Sequence, residues 1–419
     1  MKDTDFKTNG DFFDSLEAEL RPRFLLFLSV DLVGSTPVKQ RHYAVDLEDP
    51  EDREIDPNRK YFAGTDWFFF VSEFYVRFKD VLRRELGICV EADRLHANKL
   101  EADDPSSDFD SLPDRIVRWK LAGDEIIFTV DVYSSSEVAL LALAFRNALI
   151  VFRKMLYGDR EFFTNGGDRY SPYLGMMGLP YDNTKLDVKG TIWSAGFPIT
   201  NYEVAIATLN GPAEEMFIEE DPDHRNLMLV ARSKKQKSNE PVKYILDYIG
   251  PSIDTGFRLT SKANPRRLIV SIEVIYLISS VDKNRIRAIA DATQIKSGFQ
   301  ASFGGREYLK GVAGGAAYPI FWIEGGSDEG LSVLENKMLS GRGNVGSGKI
   351  RRYLDRFFER NRRYIRRPVI LSPKDAFKYD SLRIAIKTKD EKWKKAKSAL
   401  NSRQSIYRLS EEERTPLDD

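Results

Sequence analysis

The stretch Val30-Asp31-Leu32-Val33-Gly34-Ser35-Thr36 decides how this chain folds. It follows a run of large apolar residues at 24–28, and such a run predicts a buried strand. The strand therefore ends at a carboxylate, Asp31, which is followed at once by a turn of small residues. An acid in this position is expected at the edge of a sheet, where strand ends meet.

A second carboxylate, Asp124, stands in the same kind of position within Lys120-Leu121-Ala122-Gly123-Asp124-Glu125-Ile126-Ile127-Phe128. Apolar strand segments flank it, and Gly123-Asp124 has the composition of a tight hairpin turn. Two strand-end aspartates that meet in space form a hard oxygen site, of the kind that holds Mg²⁺ or Mn²⁺ beneath a triphosphate. The sequence therefore predicts Asp31 and Asp124 as metal ligands.

Composition places the chain among ordinary globular proteins. It has 419 residues, 42% of them hydrophobic and 12% aromatic, which is enough for one large domain or two. Lys plus Arg and Asp plus Glu both number 64, so the zero net charge gives no reason to expect nucleic acid or an anionic membrane as partner. The single cysteine, Cys89, excludes an internal disulfide, and with three histidines a Cys/His zinc site is not expected.

A cytoplasmic location is predicted from the absence of targeting and membrane signals. Residues 1–20 are acidic and polar without an apolar segment, so no signal peptide is expected. The apolar stretches at 138–152 and 268–281 carry polar interruptions and are predicted to fall short of a bilayer span.

Hydrophobic periodicity and turn residues predict strands that alternate with helices. Strands are predicted at 24–31, 115–121, 126–131, 189–196, 227–230, 244–249, 267–271, 306–312 and 317–323, and helices at 66–86, 136–157, 201–209, 253–262, 283–292, 328–338, 348–363 and 390–400. Exposed loops are predicted at 42–60, 91–114, 158–172 and 210–226. Hairpins and alternating helices together predict an α+β fold, with a mixed or antiparallel sheet and packed helices.

With these motifs the sequence resembles the class III nucleotide cyclase family over most of residues 23–325. Asp31 and Asp124 stand where that family has its two metal-binding aspartates. The resemblance implies a ferredoxin-like catalytic domain at 23–325, with an insertion at 42–113. It leaves an N-terminal arm at 1–22 and a helical C-terminal extension at 326–419.

Further positions match the motifs that surround the family's triphosphate. Arg258 falls on the transition-state arginine, four residues after the position of the ribose-orienting asparagine, where this chain has Asp254. An ionised carboxylate cannot donate a hydrogen bond, so Asp254 would accept one from a ribose hydroxyl or pair with a cation. Tyr308-Leu309-Lys310-Gly311-Val312 resembles the strand whose lysine grips the triphosphate, which implies that role for Lys310.

The base-recognition positions leave the substrate open. Lys120 and Asp247 occupy the two positions that read the base in adenylate cyclases. Residues 186–198, however, replace the family's usual strand, and the long insertion and tail resemble the bacterial pyrimidine cyclases of Pycsar anti-phage defence. This layout favours UTP and its product cyclic UMP; cytidylate and adenylate cyclases are the alternatives.

The implied reaction is an in-line attack of the ribose 3′-hydroxyl on the α-phosphorus, with pyrophosphate leaving. Two Mn²⁺ or Mg²⁺ ions per site would be held by Asp31 and Asp124, with the backbone carbonyl of Leu32 as an extra ligand. Arg258 and Lys310 would stabilise phosphate charge. In the family these two groups come from opposite subunits, so the resemblance implies a homodimer with shared active sites.

Each of these residues also has a plain structural interpretation. The alternatives are a helix or turn cap for Asp31, a turn former for Asp124, a solvated helix face for Arg258, an edge-strand guard for Lys310 and a surface pair for Lys120 with Asp247.

The Arg-rich run at 351–367 is predicted to be an amphipathic helix with arginines outward. Its alternative is a basic patch for RNA or DNA, which would make the chain an inactive cyclase-like sensor or nucleic-acid-binding module. The glycine-rich segment 341–348 is interpreted as a flexible linker.

Overall fold

The computed structural model describes residues 8–36, 66–99, 109–157, 186–207, 222–235, 244–293, 300–326, 334, 338, 345–374 and 380–412. The strands are β1 (Arg23–Val33), β2 (Val117–Ala122), β3 (Glu125–Asp131), β4 (Asp187–Phe197), β5 (Tyr202–Ala207), β6 (Tyr244–Ile249), β7 (Arg267–Val270), β8 (Ala301–Glu307) and β9 (Tyr318–Glu324). The helices are α1 (Asn9–Asp14), α2 (Asp66–Lys99), α3 (Ser135–Tyr157), α4 (Pro222–Lys235), α5 (Pro251–Thr260), α6 (Ile272–Ile278), α7 (Lys283–Ala292), α8 (Ser347–Arg360) and α9 (Asp380–Glu412). The predicted loops at 42–60 and 158–172, and the helix at 328–338 apart from residues 334 and 338, lie outside the described residues.

A seven-stranded sheet in the order β2-β3-β1-β4-β7-β9-β8 forms the centre of the larger of two compact units, residues 25–195 and 254–369. β3 is antiparallel to β1 and β2, β4 is parallel to β7, and β9 is antiparallel to β7 and β8. The sheet is therefore mixed, and with its helices it confirms the predicted α+β class.

Interlocked aromatic rings form the core on the helix-covered face of the sheet. Phe78 of α2 stacks on Phe128 of β3 at 6.2 Å and meets Phe145 and Phe152 of α3 edge-on at 5.9 and 5.5 Å. Phe145 and Phe152 are seven residues apart in α3, which is two helical turns, so the spacing places both on the face that packs on the sheet.

α3 is the core helix of this unit. Residues Ser135–Leu156 are long and apolar enough to span a membrane by length and composition, contrary to the prediction that 138–152 falls short. However, 89% of the tested window is buried inside the structure, so packing in the core accounts for its apolar character.

The smaller unit comprises residues 1–24, 196–253 and 370–419. β5 and β6 pair antiparallel as a two-stranded ribbon, with Val204 opposite Asp247. Apolar clusters join the ribbon to α4 and the arm residues to α9; in one of them Leu20 and Leu227 pack against Trp393. The two units group residues by their contacts in space, and each is made of separate stretches of sequence. They do not test the predicted domain boundaries at residues 22 and 325, which stay predictions.

Three predictions of local structure away from the candidate site are wrong. The predicted helix at 201–209 is strand β5, and the predicted strand at 227–230 lies inside helix α4. The predicted loop at 91–114 is wrong over residues 91–99, because α2 continues to Lys99. In that last part of α2, Asp93 is fully buried and accepts two hydrogen bonds from Arg285 of α7, at 2.6 and 2.7 Å.

Candidate active site

The structure brings Asp31 and Asp124 together at one end of the sheet. Asp31, near the end of β1, lies opposite Glu125, the first residue of β3. The Leu32 amide donates a hydrogen bond to the carbonyl oxygen of Asp124 at 3.2 Å. Gly123 and Asp124 form the two-residue turn between Ala122 and Glu125, as predicted, and Gly123 adopts the positive φ of +68° that such turns require.

A lysine that the sequence analysis did not single out completes this group. Lys189 of β4, the strand beside β1, places its Nζ 2.9 Å from Oδ2 of Asp31. The two side chains are each 28% exposed, so the pair is only partly screened by solvent. Lys189 lies on the same face of β4 as Trp193. The sequence around Lys189 does not indicate that it pairs with Asp31 of β1.

Hydroxyl groups orient the carboxylates. Ser35, in the turn after β1, donates from Oγ to Oδ2 of Asp124, and Ser29 of β1 donates to Oε1 of Glu125. The Tyr75 hydroxyl of α2 donates to the carbonyl oxygen of Gly123. The small residues after β1 thus fix the acid at the hairpin tip.

Burial and neighbouring charge change the proton affinity of this group. Burial raises the pKa of the Glu125 carboxyl; the charges of Asp31 and Asp124 act in the same direction, whereas Ser29 and Lys189 oppose them. Burial and the charge of Asp124 also raise the pKa of the Tyr75 hydroxyl. The acids therefore concentrate negative charge, which a cation would relieve.

The acids at this strand end suit a divalent cation that also binds phosphate. Among the described residues, no group of three or more His, Cys, Asp and Glu side chains is arranged to hold a metal ion by itself. Mg²⁺ is usually held by one or two carboxylates plus substrate phosphates, and Asp31 with Asp124 supplies that donor set. The Lys189 ammonium beside Asp31 contributes one positive charge to this group of acids.

Aromatic side chains form a floor on the sheet face that carries Asp31. Phe27 of β1 stacks on Trp193 at 5.3 Å with an interplanar angle of 6°, and meets Trp119 edge-on at 5.3 Å. Phe257 of α5 lies 6.0 Å from Trp193 and 6.1 Å from Trp119, between ring centroids. Gly256 permits this approach, since a Cβ there would lie 2.3 Å from Trp193 Cε2.

The residues expected to contact the phosphates and ribose are exposed. Asp254 lies in the first turn of α5 and Arg258 in its last turn. The prediction that Lys310 lies on a strand is wrong. β8 ends at Glu307, and Lys310 lies in the exposed turn that follows. The positive φ of +78° at Gly311 belongs to a turn and does not fit a continuing strand.

Lys120 and Asp247, the two residues predicted to contact the base, lie in different compact units. Lys120 is partly buried on the edge strand β2, beside a register shift, with its Nζ 5.2 Å from the Trp119 ring centroid. Asp247 lies on β6 and accepts a hydrogen bond from the Tyr248 amide at 2.9 Å. Their joint action on one base stays a prediction.

Solved structures of nucleotide cyclases are similar to this chain in outline. The adenylyl cyclase CyaB from P. aeruginosa is 12% identical, covers 74% of this chain and 96% of its own, and has a TM-score of 0.35. The guanylate cyclase domain of RhGC from Catenaria anguillulae, in complex with GTP, is 8% identical with 72% and 96% covered and a TM-score of 0.31. The guanylyl cyclase Cya2 is 13% identical with 74% and 94% covered and a TM-score of 0.29.

No protein-family model matches the chain, and no curated protein matches it.

Proposed function

We propose that this chain is a metal-dependent nucleotide cyclase that converts a pyrimidine nucleoside triphosphate, UTP in the first place, into its 3′,5′-cyclic monophosphate and pyrophosphate. One observation supports the proposal above the others: Asp31 and Asp124, which are far apart in sequence, lie side by side at the end of β1 and the tip of the β2–β3 hairpin. The product would serve as a second messenger in anti-phage defence, as the resemblance to pyrimidine cyclases implies.

Asp31 and Asp124 would hold Mn²⁺ or Mg²⁺, with the carbonyl oxygen of Leu32 as a further ligand. When bound, two such ions lower the pKa of the attacking 3′-hydroxyl and neutralise charge on the leaving pyrophosphate. Ser35 keeps Asp124 in position by its hydrogen bond, and Lys189 balances the charge of Asp31 before the ions enter. Its flexible stem lets the ammonium withdraw from Asp31.

Arg258 and Lys310 would bind the phosphates. Both are exposed, so their charged groups can reach a ligand outside the fold of their own chain. Arg258 would stabilise charge on the α-phosphoryl oxygens, and Lys310 would hold the β- and γ-phosphates. Asp254, one helical turn before Arg258, would accept a hydrogen bond from the ribose.

Lys120 and Asp247 would contact the base, and the enzyme would act as a homodimer in the cytoplasm with a site shared between subunits. Two surfaces of one chain, carrying Asp31 on one and Arg258 on the other, would each be completed by the partner copy under two-fold symmetry.

The deciding experiment incubates the purified chain with Mn²⁺ and each of the four ribonucleoside triphosphates, and separates the products by chromatography. Cyclic UMP supports the proposal as stated, whereas cyclic CMP or cyclic AMP would move it to the cytidylate or adenylate alternative. Asp31→Ala should abolish turnover while the folded state persists. Absence of every cyclic nucleotide would refute the cyclase activity.

A catalytically silent cyclase-like module is the second candidate, and the ion pair between Lys189 and Asp31 favours it. In that case Lys189 holds Asp31 permanently, so the wild-type chain binds no Mn²⁺ whereas Lys189→Met gains binding in a metal titration. Mn²⁺ binding by the wild type argues against it. Gel-shift titration with RNA and DNA over a salt series tests the nucleic-acid version, which requires binding that weakens as salt rises.

A further inference from the structure

A cavity of about 400 Å³ lies beside α8, away from the carboxylates at the end of β1. We call it the cationic pocket; its lining residues are Arg306, Lys349, Arg352, Tyr353, Arg356, Phe357 and Arg360. Five of these residues are arginine or lysine and carry a positive charge at neutral pH, two are aromatic and none is acidic. A concave site with convergent charges of one sign concentrates the electrostatic field on whatever enters it.

Helical spacing builds one wall of this pocket. Lys349, Arg352, Arg356 and Arg360 recur three or four positions apart in α8, so they form one stripe along the helix. The residues Ile350, Leu354 and Phe358 alternate with them and are buried in the larger unit. Arg306 faces the stripe from β8, so the pocket draws its charges from two rigid elements.

The positive charges of the cationic pocket are not neutralised by the described part of the chain. Both acids of α8 have other cations: Asp355 pairs with Arg367 at 2.7 Å and Glu359 with Arg362 at 3.4 Å. Among the described residues, no ion pair reaches Arg352 or any other cation of the pocket. Like charges three or four residues apart on a helix repel, so the stripe costs stability while the pocket holds no anion.

Tyr353 adds an unsatisfied polar group to the same wall. Its ring lies nearly parallel to that of Phe357, with 6.5 Å between centroids, and meets Phe303 edge-on at 5.5 Å. Its hydroxyl oxygen is buried and has no hydrogen-bond partner among the described residues. A buried hydroxyl without a partner is costly, and an acceptor oxygen on a ligand would satisfy it.

We propose that the cationic pocket binds the polyphosphate chain of a small molecule, either inorganic polyphosphate or the phosphate end of a nucleotide. Guanidinium groups match phosphate oxygens with paired donors, and several converging on one small cavity match the dense charge of linked phosphates. A nucleic-acid backbone spreads one charge over each nucleotide and would need an extended groove. None of Asp31, Asp124, Arg258 and Lys310 lines the pocket, so the proposal does not depend on the cyclase activity.

The test is calorimetric titration of the full-length chain with inorganic triphosphate, in buffer with a chelator so that no divalent ion contributes. The double variant Arg352→Gln/Arg356→Gln is compared with Arg363→Gln/Arg366→Gln, which removes the same charge from exposed positions outside the pocket. We expect the wild type, the control and Asp31→Ala to bind equally well, and the pocket variant to bind on the order of a hundredfold more weakly.

Thermal unfolding without ligand separates a binding role from a structural one. The pocket variant should unfold at the same temperature as the control or higher, because it loses like-charge repulsion. Triphosphate should raise the midpoint of the wild type and of the control, but not that of the pocket variant. A lower midpoint without ligand would mean that these arginines serve the fold.

Comparison of ligands identifies the source of the phosphate chain. Equal affinity for inorganic and nucleoside triphosphates means that the phosphates alone are recognised, and tighter nucleotide binding means that a base or ribose adds contacts. The proposal is overturned if triphosphate does not bind, if the control loses affinity as much as the pocket variant, or if only an oligonucleotide binds.

Discussion

Gly256 is the residue on which the position of α5 depends. The helix approaches the aromatic floor so closely that a single added carbon would overlap the Trp193 ring, 2.3–2.4 Å from three of its atoms. The indole is fully packed against Phe27 and cannot give way. Since the same helix carries Asp254 and Arg258, the missing side chain at this position sets where their charges lie.

Gly256→Ala should therefore destabilise the protein by about 1–3 kcal/mol, the usual cost of overpacking. It should also lower the turnover of the proposed cyclase reaction, because α5 has to shift. Gly87→Ala in α2 is the matched control: no atom of the described residues lies within 4 Å of the added carbon, so helix propensity should stabilise the variant by about 0.5–1 kcal/mol. Urea unfolding of both variants checks the pair, and equal destabilisation would contradict the packing argument.

Cys89, also in α2, can report on local opening of this helix by thiol labelling, without any mutation. It is the only cysteine of the chain and fully buried, and burial, reinforced by the charges of Glu85 and Asp93, raises the pKa of its thiol. Reaction with a disulfide reagent requires the exposed thiolate. At neutral pH we expect no labelling of the native chain and one equivalent in guanidinium. Rapid labelling without denaturant would show that α2 opens locally.

At the scale of elements, Arg153 fastens α3 to three neighbouring segments. Its guanidinium lies 2.6 Å from Oδ1 of Asp187 and donates to the carbonyl oxygens of Gly325, Val188 and Pro265, at 2.7, 3.1 and 2.8 Å. Only 6% of the residue is exposed. The planar fork of an arginine can serve these acceptors together, whereas a lysine ammonium cannot.

Arg153→Met should destabilise the fold by about 3–5 kcal/mol, because it removes the guanidinium from the largely buried carboxylate of Asp187 and from three carbonyl oxygens. Arg153→Lys should recover only part of the loss. The exposed pair Arg94–Glu91 provides the control, since Arg94→Met should change stability by less than about 0.5 kcal/mol. Denaturant titration measures all three, and a mild effect of Arg153→Met would show that water replaces the guanidinium.

The elements that sequence reasoning predicted well have long, regular hydrophobic patterns. β1, α3 and α7 were found within a few residues, because periodicity alone separates their buried and exposed faces. The apolar run at 227–230 predicts a strand but lies in helix α4, since four apolar residues fit a buried strand and a helix turn equally well. β5 was misread as a helix because its structure depends on pairing with β6, a partner the local sequence does not reveal.

For the candidate site, the roles assigned to the residues stay predictions, but the structure does bring Asp31 and Asp124 together as expected. Asp31 and Asp124 stand out because each follows or precedes a strand with small residues beside it. Lys189 could not be found in the same way, since its pairing with Asp31 depends on β4 lying next to β1. The strand expected at Lys310 does not form, because the chain enters a turn after β8, with Gly311 at positive φ.

At the scale of the whole molecule, the proposed shared site makes activity depend on two copies. Asp31→Ala and Arg258→Ala should each be inactive alone. In an equal mixture about half of the dimers are mixed, and each mixed dimer has one complete site, so about a quarter of the wild-type activity should return.

This complementation is measured after the two variants are unfolded and refolded together, with light scattering to confirm the dimer. Mixing Asp31→Ala with Asp124→Ala is the control, because both lesions fall on the same half of the site and no complete site can form. Full inactivity of the first mixture would place Asp31 and Arg258 in one subunit's site.

The bonds of Arg153 have a consequence for how the larger unit comes apart. Its carbonyl acceptors are Val188 at the start of β4, Pro265 just before β7 and Gly325 just after β9. If any of these segments unfolds locally, the Arg153 guanidinium loses a hydrogen bond. Their openings are tied to a single event. Backbone amides in all three strands should therefore exchange with solvent through one shared, global transition, and partial melting from either edge should stop at this residue.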